Sequence, residues 1–143
     1  MTQVGLRGPY QESSYALCVQ GGMYSPTDSE TDYIGQLPRV PIITAAISKV
    51  YIRSLGTIKR AELYVYASGV AGSNEDWSFY IRLNNTTDYL IQTVGLNTAQ
   101  RIVTNAAMAV PLVAGDYFEI KIVNPAWATN PTNVYIGGYV YVE

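Results

Sequence analysis

Histidine is absent from the 143 residues, cysteine occurs once, phenylalanine twice, and charged residues make up only 14% of the chain, against roughly 25% in an ordinary soluble domain. Each shortage excludes something. Without histidine there is no Ser-His-Asp triad and no imidazole base, and most transition-metal sites lose their usual ligand. One thiol cannot build a disulfide framework or a thiolate zinc site. In Ala16-Leu17-Cys18-Val19 that thiol reads as a packed side chain. Nine basic and eleven acidic residues leave a formal charge of −2, so no positive field gathers nucleic-acid phosphates or an anionic membrane. The uncharged run from Ile102 to Gly115 is interrupted by Asn105, Pro111 and Gly115 and is no membrane span. Met1-Thr2-Gln3-Val4 leads to Arg7 and polar residues, so no secretory signal is expected, synthesis is placed in the cytosol, and the sequons at Asn84 and Asn85 stay idle.

What the chain does have is 13 tyrosines and 12 glycines. Tyrosine suits half-buried pleated surfaces and wet interfaces, because its ring is apolar and its hydroxyl can meet water or a partner. The length fits one domain of about 100–150 residues. Residues 1–45 carry Pro9, Pro26, Pro38 and Pro41, the pair Gly21-Gly22, and a polar stretch from Ser25 to Asp32. They read as an extended arm, with short edge strands at Tyr15–Gln20 and Thr31–Ile34, ordered by contact with the body or with neighbours.

Residues 46–143 read as the folded body, because period-2 patterning takes over there. Ile47, Tyr51 and Arg53 mark a first strand, turned by Ser54-Leu55-Gly56. In 61–68, Ala61, Leu63, Val65 and Ala67 take one face, and Glu62, Tyr64 and Tyr66 the other. Gly69 to Asn74 is a small-residue loop. Trp77, Phe79, Ile81 and Leu83 alternate with Ser78, Tyr80 and Arg82. The cluster from Asn84 to Asp88 is a turn whose short polar side chains can bond their own backbone. Further strands are expected at 89–94, 100–104, 108–112, 117–123 and 134–142, the last with Tyr135, Tyr139 and Tyr141 on one face. About eight short strands with Gly/Pro turns and no convincing helix predict an all-β antiparallel sandwich of the jelly-roll kind, preceded by an arm.

No catalytic constellation emerges, and neither a cofactor nor an enzymatic activity is expected. No serine sits in a nucleophile elbow or a Ser-x-x-Lys context, and Gly69–Gly72 lacks the lysine and helix of a phosphate-cradling loop. Asn84, Asn85 and Asp88 offer oxygen ligands but too few carboxylates for a tight calcium site. Glu62, Glu75, Asp76, Asp116 and Glu119 supply carboxylates without a visible pair. The same-face pairs Tyr64/Tyr66 and Tyr139/Tyr141 are the remaining signal, since an exposed aromatic face of that size is rare on a monomer. A subunit interface, a sugar-stacking platform, or cover by the arm or a second sheet would each explain it. Loop contact with a ligand is expected at Trp127 and Asn130, and at the turn bearing Asn84, Asn85 and Asp88, with pinning of its own loop as the other role for Trp127.

The stretch Gly56-Thr57-Ile58-Lys59-Arg60-Ala61-Glu62-Leu63-Tyr64-Val65-Tyr66-Ala67, followed by Asn74-Glu75-Asp76-Trp77-Ser78 and Tyr80-Ile81-Arg82-Leu83-Asn84-Asn85-Thr86-Thr87-Asp88, resembles a domain of tailed-bacteriophage virion proteins. Val113-Ala114-Gly115-Asp116-Tyr117-Phe118-Glu119-Ile120-Lys121 and the ending Tyr139-Val140-Tyr141-Val142-Glu143 fit it too, so the resemblance covers roughly 31–143. It implies a trimeric jelly roll at the tip of a tail fibre, spike or head fibre. The tyrosine sheet would lie around the threefold axis, residues 1–45 would bind other virion proteins, and the head would touch the host surface or a glycan. Location in the virion, after assembly in the host cytoplasm, follows from the same likeness. A capsid or tail decoration protein without a receptor, and a free-standing carbohydrate-binding module, are the alternatives. No catalytic residue, cofactor, nucleic acid or membrane insertion comes with it.

Overall fold

A computed structural model describes residues 14–36, 47–69, 75–95 and 99–143. Among these residues ten strands run in chain order: β1 (Tyr15–Tyr24), β2 (Thr31–Ile34), β3 (Val50–Tyr51), β4 (Gly56–Ala67), β5 (Asp76–Leu83), β6 (Thr87–Gly95), β7 (Gln100–Asn105), β8 (Val110–Leu112), β9 (Tyr117–Val123) and β10 (Asn133–Val142). Period-2 alternation makes them. On β4, β5, β9 and β10 the inward residues are almost all apolar and buried, from Leu63 and Val65 through Trp77, Phe79 and Ile81 to Phe118, Ile120, Ile122, Val134 and Val140. These side chains form one core between two antiparallel sheets.

The first sheet runs β1-β10-β4-β7, with β8 also on β4; the second runs β2-β9-β5-β6, with β3 also on β9. β7 and β8 lie end to end along β4, at 61–66 and 56–58. β2 and β3 lie end to end along β9 in the same way. Merging each end-to-end pair leaves eight strand positions, four to a sheet. The chain changes sheet at every step between positions except the β5–β6 hairpin, which is the wiring of a jelly roll. Among the described residues no helix is long and apolar enough to cross a membrane.

Two expectations change. Residues 15–34 are not an arm outside the sandwich. β1 is ten residues long and pairs with β10 along its whole length, straight through Gly21-Gly22. Val19, Met23 and Ile34 belong to the core, so the sandwich begins at Tyr15 and not at residue 46. The glycine pair, which reads as a break in sequence, survives in the strand because it is paired with Ile136 and Tyr135 of β10. The first body strand shrinks to Val50–Tyr51, and β4 starts at Gly56, where the turn was expected, because Thr57 exchanges backbone hydrogen bonds with Glu143 at 2.7 and 3.0 Å. Residues 1–13 and 37–46, and loop residues 70–74, lie outside the described residues.

The strand ends define two poles. Tyr15 faces Val142, Thr57 meets Glu143, and Asn84 meets Tyr117 at one pole. Tyr24 faces Asn133, Ser25 bonds Thr132, and Ser29 bonds Pro125 at the other.

Candidate functional site

The loop residues expected to bind a ligand do not converge. Asn84, Asn85 and Asp88 belong to the Tyr15/Val142 pole, whereas Trp127 and Asn130 follow the far end of β9. Seven strand residues at about 3.3 Å each put roughly 20 Å between the poles.

At the first pole the turn is built by conformation and consumed by internal bonds. Asn84 and Asn85 both adopt left-handed φ, +50° and +56°, which asparagine tolerates better than most residues. Asn84 Nδ2 donates to Asp116 Oδ1 at 2.8 Å, and its Oδ1 accepts from the Tyr117 amide at 3.0 Å. Asn85 Oδ1 accepts from Arg82 Nε at 3.1 Å. Asp88 bridges Arg82 and Lys121. The Val113 amide, with Asn84 behind it, lowers the Asp116 carboxyl. Desolvation pushes Asp88 upward, but the hydrogen bonds and charges of Lys121 and Arg82 overcome it and hold the group below its ordinary value.

At the second pole Trp127 is only 6% exposed and packs edge-on against Trp77, ring centroids 5.5 Å apart. A buried indole offers no face for a sugar, so Trp127 pins its loop instead. Asn130 reaches back to Pro26 O at 2.9 Å and to Asp28 Oδ1 at 3.0 Å. Beneath the loop, Trp77 Nε1 donates to Asn124, which donates to Asp32. Burial raises the Asp32 carboxyl above its ordinary value, Asn124 opposes the rise, and Glu30 adds to it.

The four tyrosines do converge, because β4 and β10 are neighbours in one sheet. On the outer face, Tyr64 stands opposite Gly137 on one side and Ile102 on the other. Tyr66 stands between Tyr135 and Gln100, and Glu62 between Tyr139 and Thr104. β1 extends this grid: Gly22 lies beside Tyr135, Gln20 beside Gly137, and Cys18 beside Tyr139. Tyr24 is 76% exposed, Ile102 61%, Tyr135 60%, Tyr139 50% and Tyr64 46%. Tyr66 and Tyr141 are half-buried by their neighbours. Tyr66 lies 6.2 Å from Tyr135, and Tyr141 lies under Arg60 and donates its hydroxyl to Glu62 at 3.3 Å. Tyr24 and Ile102 were not singled out in the sequence, since only the strand order brings them onto the face that alternation gives Tyr135, Tyr139 and Tyr141.

Two depressions flank Tyr64. One, of about 630 Å³, is walled by Tyr24, Tyr64 and Tyr135 over Gly22 and Gly137. The other lies between Tyr64, Ile102 and Tyr139. Cys18, expected to be packed, is exposed on this face, because alternation turns Leu17 and Val19 toward the core instead.

The carboxylates are dispersed. Glu62 pairs with Arg60 at 3.7 Å on the tyrosine face. Glu119 is fully buried on the second sheet and accepts from the Ser48 amide at 3.0 Å. Glu75 accepts from the Ala128 amide. Among the described residues no three His, Cys, Asp or Glu side chains gather as a metal site.

No protein-family profile matches the sequence, and no curated protein is significantly similar to it. Among solved structures, dimeric latent PorU from Porphyromonas gingivalis aligns with 89% of this chain at a TM-score of 0.45 and 11% sequence identity. The chain spans 13% of the length of that protein. A likeness at this level bears on neither fold nor role.

Proposed function

We propose that the chain is a non-enzymatic structural subunit of a phage virion, a homotrimeric fibre or spike head whose subunits meet through the outer face of the first sheet. The observation that carries this reading is the exposed grid of Tyr24, Tyr64, Tyr135, Tyr139 and Ile102 around a single ion pair, Arg60–Glu62. Taking about 200 Å² for a fully exposed aromatic side chain, these five groups present on the order of 500 Å², at the upper end of what a monomer leaves open. With the polar rim of Cys18, Gln20, Gln100 and Thr104 the face approaches the roughly 800 Å² per partner of a standard interface.

The residues before Tyr15 then join the head to other virion proteins at the Tyr15/Val142 pole. The opposite pole, with Ala128, Thr129 and Asn130 exposed, points outward toward the host surface and its glycans. Assembly takes place in the host cytoplasm.

Light scattering on the purified chain tests the assembly. A trimer is expected, and Tyr64→Asp with Tyr139→Asp should reduce it to folded monomer, because each aspartate would be buried without a partner. A monomeric wild-type chain would instead return the tyrosine face to the free-standing sugar-binding module. A decoration protein without a receptor is the second reading. It is favoured by the internal engagement of Asn84, Asn85, Asp88 and Trp127. An adsorption-blocking assay with the purified head separates the two, since a decoration protein leaves adsorption unchanged.

A further inference from the structure

Two glycines stand side by side in the middle of β10, and the fold requires only one of them. A Cβ on Gly138 would lie 2.0 Å from Glu62 O, so no side chain fits there. A Cβ on Gly137 would meet nothing nearer than Val19 O at 4.0 Å, and its backbone φ is not in the left-handed region. A strand interior favours β-branched or aromatic residues over glycine by up to about 1 kcal/mol. A tyrosine folded over the glycine would account for it, and this happens at Gly22, where Tyr135 ring carbons lie 3.4 and 3.8 Å from the Cβ position. It does not happen at Gly137: Tyr64 stands opposite, yet no ring atom comes within 4 Å. The space above Gly137 is uncovered by its own chain, and glycine inside a strand marks a place where another group approaches closely.

We propose that the hollow over Gly137 is a socket for an aromatic side chain of a second copy of this chain. This rests on the assembly reading above and adds the contact on which it turns. The walls are Tyr64, Tyr135 and Tyr139, and the hollow opens on both sides of Tyr64. The same face supplies the counterpart, since Tyr24 is the most exposed of its tyrosines, at 76%. Each copy therefore carries both a socket and a ring to fill one, as a closed ring of subunits requires. Arg60 and Glu62 pair with each other on this face, which suits contact with an identical surface.

The test is Gly137→Leu in the full chain, with Gly137→Ala beside it, read by light scattering over a dilution series and by alkylation of Cys18, which lies on the same face. The leucine Cβ meets no clash in its own chain, and the rest of the side chain projects into the hollow. It should raise the dissociation concentration at least a hundredfold and speed Cys18 alkylation at least tenfold, while the far-ultraviolet circular dichroism stays unchanged. Gly137→Ala should weaken association about tenfold, and it carries the test if the leucine variant misfolds. Wild-type association in both variants overturns the socket and leaves the assembly standing. A wild-type chain that is monomeric at every concentration overturns both.

Discussion

Trp77 and Asn124 meet inside the sandwich, the indole Nε1 donating to Oδ1 at 2.9 Å, and the same asparagine turns its amide to Asp32 Oδ2 at 2.7 Å. One side chain thereby satisfies a donor from the centre of the second sheet and an acceptor from its edge strand β2. Asn124→Ala should leave both unpaired in a buried place. The expected cost is about 2–6 kcal/mol, taking about 1–3 kcal/mol for each stranded group, read from urea unfolding.

Asp32 gives this cluster a pH signature. Burial holds its folded carboxyl above the unfolded value of 3.8, so the folded state binds the proton more tightly. Its contribution is therefore complete below the unfolded value and is lost as pH rises through the raised folded one. Asp88 and Asp116 are lowered and work the other way, losing stability as pH falls below 3.8. Comparing wild type with Asp32→Asn isolates the first effect. The variant should gain stability relative to wild type above the window and lose that advantage below it. A constant difference across pH 3–7 would show that Asp32 does not titrate differently on folding.

Leu63 is fully buried at the centre of β4. Leu63→Ala should cost about 2–5 kcal/mol, the range for a large-to-small change in a packed core, measured by chemical denaturation.

Trp127→Ala should cost about 3–5 kcal/mol and shift the emission of Trp77 to the red as water reaches its exposed edge. Because the indole is a pin, adsorption by whatever protein stays folded should match wild type. Lost adsorption at unchanged stability would restore the binding role.

Truncation separates arm from sandwich. Removing residues 1–13 should leave a cooperative unfolding transition, because the pairing of β1 with β10 is untouched. Removing residues 1–30 takes away β1 with Val19 and Met23 and should abolish that transition. A folded, cooperative product of the longer deletion would move the start of the sandwich back toward residue 46.

Alternation made the fold class readable: the faces of Leu63, Val65, Trp77 and Phe79 follow from spacing alone. The length of β1 did not, because Gly21-Gly22 looks like a break unless the strand beside it is known. Period 2 put Tyr64 with Tyr66 and Tyr139 with Tyr141, but only the pairing of β4 with β10, far apart in sequence, joined them. The same spacing that marks Asn84, Asn85 and Asp88 as polar loop residues cannot say that Asp116, Tyr117, Arg82 and Lys121 already occupy them. Nor can it say that Trp127 turns inward onto Trp77. Local pattern reports which face a residue takes; partners distant in sequence decide what that face meets.

β10 lies between β1 and β4, yet it leaves the ribosome after every other strand of the sandwich. Until it arrives, β1 has no neighbour in its sheet, and β4 has only β7 and β8. The first sheet is thus completed after translation of the domain, a late closure in keeping with the slow folding of long-range β pairings. Its outer face comes into being in the same step. A nascent chain therefore presents no joined row of Tyr64, Tyr135 and Tyr139 until β10 has paired with β4.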